Sequence, residues 1–154
     1  MGRRHLIRLA AALAVAFAAA ASAGAADGWR VVADGPGGGG AAPPVAFVAT
    51  ARPATSRFAA RLPEQARAAV SAADFSQDAL VAIFGEFGCR DSQIVVSSLA
   101  QHGGVLAVTL AQKLPAAGRM TCMAIFPTYR LLLVPKTQLQ RPFPTRATVT
   151  LARA

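Results

Sequence analysis

Alternation of apolar and polar side chains is the clearest signal along this chain, and over its second half it is a β signal. Residues 105–113 (VLAVTLAQK) place Leu106, Val108 and Leu110 on one face and Val105, Ala107, Thr109 and Ala111 on the other. That is the period of two of a half-buried strand. Residues 93–101 (QIVVSSLAQ) come before it, with His102-Gly103-Gly104 between, and two such runs about a short Gly-Gly turn predict a hairpin. Residues 79–85 (ALVAIFG) form a compact apolar run between polar neighbours and predict a further strand. Residues 120–126 and 129–135 predict strands broken at Pro127, after a turn over 115–118. Residues 145–152 predict a last strand, whose Thr148 and Thr150 suit a solvated face.

The first half is more mixed. Residues 28–33, ending at Asp34-Gly35, and residues 45–50 (VAFVAT) predict short strands. Between them, Gly37 to Gly40 with Pro43 and Pro44 read as a flexible linker. A phosphate-cradling loop is excluded there, because no helix opens after the glycines and no Lys-Ser/Thr follows. Residues 55–73 predict a helical segment divided by Pro63, which is well placed at a first helical turn. Glu64, Gln65 and Arg67 fall on its polar side, and Leu62, Ala66, Ala69 and Val70 face inward. Alanine supplies helix propensity but little buried area, so this helix predicts a light cover over a sheet. Short connections between successive strands favour antiparallel pairing. The fold class expected is α+β, mainly β: a small antiparallel sandwich or open barrel with one covering helix.

Residues 1–26 belong to a different pattern. Arg3, Arg4 and Arg8 precede an unbroken apolar run over 9–21, and small residues follow: Ala21-Ser22-Ala23, then Ala23-Gly24-Ala25. This is the order of an export signal peptide, cleaved after about Ala23 to Ala26. The run is too short and too rich in alanine to span a hydrocarbon core, which takes about 20 apolar residues. Gly2-Arg3-Arg4-His5-Leu6-Ile7-Arg8 also fits a twin-arginine signal, so both that route and general secretion stand open. The expected location is extracytoplasmic, in the periplasm or secreted. Residues 27–154 form one expected domain, with no second apolar run long enough for a transmembrane anchor.

The signal changes the charge argument. Of 16 Lys and Arg residues three lie in residues 1–26 with no acid, which leaves 13 against 7 acidic residues, a net +6 from residue 27 onward. The arginines are scattered without a basic run, which argues against nucleic-acid binding and leaves a milder attraction to anionic surfaces. Two cysteines remain, Cys89 and Cys122. An even, minimal count in an exported chain favours one structural disulfide. A metal site would need more ligands than these and His102, and a redox pair would show close spacing; metal ligands and cofactors are therefore not expected.

The stretch 74–136 resembles the C-terminal domain of PrcB-like proteins, secreted bacterial subunits of a protease complex. The matching residues are Asp74-Phe75-Ser76 leading into Leu80-Val81-Ala82-Ile83-Phe84-Gly85, then Val105-Leu106-Ala107-Val108-Thr109, and the close at Leu131-Leu132-Leu133-Val134-Pro135-Lys136. Members of that family often carry a Gly-Gly-Tyr-like turn after the first strand, where this chain has Gly85-Glu86-Phe87-Gly88-Cys89-Arg90-Asp91. The resemblance implies a non-catalytic protein-binding module that supports an extracytoplasmic protease, and it transfers no catalytic residues.

Catalysis finds little footing in the residues themselves. Ser97 or Ser98, His102 and Asp91 make a Ser-His-Asp set only by arithmetic: the serines lack a nucleophile-elbow pattern and His102 belongs to a turn. Asp74 and Asp78 read as caps at an element start. Trp29, Phe87 and Tyr129 are core residues or interface anchors. The function expected is an exported, non-catalytic protein-binding module, an accessory or stabilising subunit of a secreted protease. Its binding loop would hold Glu86, Phe87, Gly88, Arg90 and Asp91. The alternatives are a protease inhibitor presenting that same loop, and a structural envelope protein without a discrete partner.

Overall fold

Two long apolar runs, one before Gly85 and one before Pro135, pair with each other and set the frame. In the computed structural model, which describes residues 24–25, 28–88, 93–113 and 125–152, β4 (Asp78–Gly88) and β7 (Ile125–Pro135) form an antiparallel ladder from Asp78↔Pro135 to Gly88↔Ile125. β2 (Arg30–Pro36) flanks β7, and β3 (Val45–Ala49) flanks β4. This gives one sheet of order β2-β7-β4-β3. The second sheet has the order β1-β5-β6-β8, built from Gly24–Ala25, Gln93–His102, Val105–Lys113 and Arg146–Ala152. Gly24 and Ala25, at the end of the stretch read as a signal, pair with Gln101 and Ala100 on the edge of β5.

The sheets enclose one core and the helical segment closes another. Val81, Ile83, Leu132 and Val134 from the first sheet meet Val96, Leu99, Leu106, Val108 and Leu110 from the second, all at most 5% exposed. On the opposite face of the first sheet, Leu80, Phe84, Leu131 and Leu133 lie under Phe58, Leu62, Ala66 and Val70. The first sheet is therefore buried on both sides. That is why β4 and the end of β7 read as unbroken apolar runs while β6 alternates. Each large side chain so buried stabilises the fold by roughly 1.5–3 kcal/mol before the entropy of ordering it is counted.

The covering layer follows the sequence closely. Arg52–Arg57 and Ala59–Arg61 are short 3-10 turns, and α1 spans Glu64–Ala72 directly after Pro63. Ala66 and Val70 are buried, while Glu64, Gln65 and Arg67 are exposed.

Three features depart from the alternation argument. First, β7 runs unbroken through Pro127, which sits opposite Glu86. The N–H and C=O of one strand residue point to the same side. Pro127 accepts a hydrogen bond from the Gly37 N–H through its carbonyl, at 2.8 Å, so the missing N–H faces that side too. There β2 has already ended at Pro36↔Thr128, and the β4 ladder is untouched. Second, β8 pairs with β6 in parallel, from Val105↔Arg146 to Ala111↔Ala152. Short turns predict antiparallel neighbours, but β7 belongs to the other sheet, and the chain through it is the long crossover that a parallel pair requires. Third, β5 carries a bulge between Val96 and Ser98. Ser97 is the extra residue, and its hydroxyl donates to the Thr109 carbonyl at 3.1 Å. The bulge moves the inward positions from Val96 to Leu99 and Gln101, which are buried, and turns Ser97 and Ser98 outward.

Candidate functional site

The glycine run is an anchored strap at one end of the sandwich, not a flexible linker. β2 and β3 are the two edges of their sheet, so residues 37–44 must cross β7 and β4 to join them, about 14 Å at the usual strand spacing. Both sides of the crossing are tied to the ladder beneath. The Gly37 N–H donates to the Pro127 carbonyl, and the Glu86 N–H donates to the Ala41 carbonyl at 3.1 Å. Gly38 is buried with φ +85°, and a Cβ there would lie 2.8 Å from the Phe84 ring and 3.1 Å from the Tyr129 Cβ. The backbone passes so close to the sheet that only glycine fits, and the left-handed conformation asks for glycine independently. A Cβ on Gly40 would meet the Glu86 carboxylate at 2.5 Å.

Arg61 fastens the strap from the helical side. Its guanidinium donates to the Gly40 carbonyl at 3.0 Å and lies 4.5 Å from the centroid of the Phe84 ring and 5.9 Å from that of Phe47. Phe84 and Phe47 meet edge to face at 6.0 Å. A cation held over rings in a half-buried place is worth about 0.5–2 kcal/mol. Burial, with a smaller push from the Asp34 carboxylate, holds the Tyr129 phenol above its ordinary pKa. It stays protonated through neutral pH as an uncharged wall under the strap.

Among the described residues the central ladder runs past its neighbouring strands on both sides. β3 joins β4 only as far as Phe84, and β2 joins β7 only as far as Thr128. Glu86↔Pro127, to which the strap is tied, is the base of a two-stranded arm that Phe87↔Phe126 and Gly88↔Ile125 carry past it, roughly 7 Å further at the strand rise. Glu86 and Pro127 are exposed on it and Phe126 is half-buried. Glu86, Phe87 and Gly88, expected in a loop, thus belong to a strand. The local physical reason is that β7 supplies partners for all three. Arg90 and Asp91 lie outside the described residues, as do Cys89 and Cys122.

Other residues weighed from sequence are dispersed. Ser97 and Ser98 sit on the outer face of β5, and His102 is exposed at its end, about 13 Å along the strand from Ser98 at 3.3 Å per residue. The serines and the histidine are not brought together. Asp74 does serve its turn: its carboxylate accepts from the Ser76 N–H at 2.9 Å and from the Ser76 hydroxyl at 2.6 Å. These bonds hold Asp74 below its ordinary pKa. Trp29 packs against the inter-sheet core and Tyr129 is buried under the strap, so both are core residues. Among the described residues no three His, Cys, Asp or Glu side chains gather in a metal-binding group. The strap and its arginine pin escaped the sequence reading, although four glycines with an arginine and two phenylalanines downstream were present to be seen.

The strap makes an unequal pair of substitutions. Gly39 has φ +67° and open space around its Cβ position, so Gly39→Ala should cost only the left-handed penalty of about 1–2 kcal/mol. Gly38→Ala adds overpacking against Phe84 and Tyr129 and should cost about 2–5 kcal/mol. Chemical denaturation of both variants measures the difference, and equal losses would contradict a packed strap.

Compared with known proteins, the chain matches no family model, no curated protein and no solved structure.

Proposed function

We propose that this chain is an exported, non-catalytic protein-binding module, an accessory or stabilising subunit of an extracytoplasmic protease, and that it engages its partner with the β4–β7 arm. The observation that carries the reading is the arm itself. Among the described residues it runs past both neighbouring strands, and the strap bonds at Glu86 and Pro127 fix its base before any partner arrives. Preorganisation of this kind lowers the ordering cost of binding. The resemblance of residues 74–136 to PrcB-like domains supports the choice of partner. The first and last of the three stretches that carry it meet in space: the Lys136 N–H donates to the Gln77 carbonyl at 2.8 Å, and the Lys136 ammonium donates to the Phe75 carbonyl.

The same arm suits a second reading, a protease inhibitor that offers residues 86–91 to an active-site cleft. A braced strand end at residues 86–88 serves either role, and a turnover assay separates them: an inhibitor lowers turnover, and an accessory subunit leaves or raises it. Export is part of the proposal. Among the described residues no helix is long and apolar enough to cross a membrane.

In-cell crosslinking of the tagged protein, followed by identification of captured envelope proteins, tests the partner. A protease should be recovered above a signal-only control. Glu86→Arg, an exposed charge reversal on the arm, should reduce its capture by about tenfold or more, equivalent to about 1.4 kcal/mol. Undiminished capture by that variant would remove the arm from the interface.

The disulfide between Cys89 and Cys122 is proposed on the cysteine count and on the ladder. Gly88 and Ile125 are its last described rung, and the two cysteines lie one and three residues beyond it in sequence. Cys89→Ser should lower stability by about 3–4 kcal/mol under oxidising conditions, the chain-entropy value for a closed loop of about 34 residues. An unchanged melting temperature would refute the bond.

A further inference from the structure

We infer that the end of the sandwich opposite the arm is a cationic docking face for the headgroups of an anionic lipid surface. In sequence the arginines look scattered, but the fold gathers five cations into one circuit. Arg52 donates to the Ala73 carbonyl at 3.1 Å and lies 5.3 Å from the centroid of the Phe75 ring. Lys136 donates to the Phe75 carbonyl and lies 5.3 Å from the centroid of the Phe143 ring. Arg141 lies 5.0 Å from that same centroid. Two residues on from Phe143, the Thr145 carbonyl accepts from Arg57 at 2.8 Å, and Arg146 follows. Arg52 and Arg57 open and close one 3-10 turn, which completes the ring.

Arg52, Arg57, Arg141 and Arg146 are exposed and Lys136 is half-buried. Arg52, Arg57 and Lys136 donate to backbone carbonyls, which carry no counter-charge. Among the described residues the acids at this end are Asp74 and Asp78; the Ser76 bonds stabilise the Asp74 carboxylate, which also attracts Lys136, so five cations stand against two acids. At the arm end the balance differs. Among the described residues Arg61, Lys113 and Arg130 stand there with Asp34, Glu64 and Glu86, and Arg130 pairs with Asp34 at 2.9 Å. The balance of charge among the described residues is therefore more positive at the end opposite the arm. Basic side chains interleaved with half-buried rings suit a phosphate-bearing surface, and an exported chain meets lipid headgroups. That choice of lipid over nucleic acid rests on the export reading. Docking this end would leave the arm pointing away from the surface.

Co-sedimentation of the processed, exported protein with vesicles is the test. Vesicles of phosphatidylcholine alone should not bind it, and an equimolar mixture of phosphatidylcholine and phosphatidylglycerol should. Binding should vanish at about 1 M salt, where the screening length is about 3 Å. Arg141→Gln with Arg146→Gln should weaken binding about 30-fold, from the attraction each cation feels at such a surface. Arg141→Lys with Arg146→Lys, which keeps both charges, should retain it, and Arg67→Gln on α1 should leave it unchanged. Equal binding to neutral vesicles, binding untouched by the double glutamine variant, no binding at all, or tighter binding to a single-stranded oligonucleotide at matched phosphate would each overturn the inference. Failure of the export reading appears separately, as unprocessed protein in the cytoplasmic fraction.

Discussion

The pairing of β4 with β7 is the constraint on which the rest depends. It places eleven-residue strands side by side at the centre of a sheet whose two faces are both covered. One face fills against the second sheet and the other against the helical segment, so neither core exists without that ladder. Its two ends carry the surfaces proposed for binding. At one end it outruns its neighbours as the arm. At the other, Lys136 turns the chain out of β7 and ties it to the turn before β4.

Joining the edge strands β2 and β3 across this ladder forces the backbone over aromatic side chains, and the glycine run answers that demand. Gly38 lies where a methyl group would strike Phe84, and Arg61 spends its charge on a carbonyl and two rings. At the opposite end a comparable role falls to Gln101. Its two buried amide N–H groups reach three carbonyls, those of Gly103, Gln140 and Pro142, so that one N–H is shared, and its oxygen accepts from the Gln140 N–H at 2.9 Å. One side chain thereby holds the hairpin turn against the segment that leads into β8.

Much of this architecture can be read from residues, and the failures have local causes. β6 alternates cleanly because one of its faces is solvated, and Pro63 marks the start of α1 because its missing N–H costs nothing there. The mainly-β fold with a helical cover follows from those signals. The bulge at Ser97 is hidden because alternation through Val96-Ser97-Ser98-Leu99 assumes one residue per rung. Pro127 looks like a break because sequence does not say which side of a strand lacks a neighbour. The parallel β6–β8 pair is invisible to any reading that pairs successive strands. Function was less legible still. Glu86 to Gly88 look like a loop in sequence and are strand, and the cationic circuit is assembled from two distant stretches, 52–57 and 136–146, within which no two basic residues are adjacent.

A two-ended molecule is the account that joins these parts: a cationic rim for an anionic surface, and a braced arm held away from it for a protein partner. Hydrogen–deuterium exchange on the protein bound to anionic vesicles tests that arrangement directly. Amides in residues 52–57 and 139–146 should gain protection, while those of residues 37–41 and 85–88 exchange as they do in the free protein. Protection concentrated on the strap and arm, or spread evenly over both ends, would contradict it.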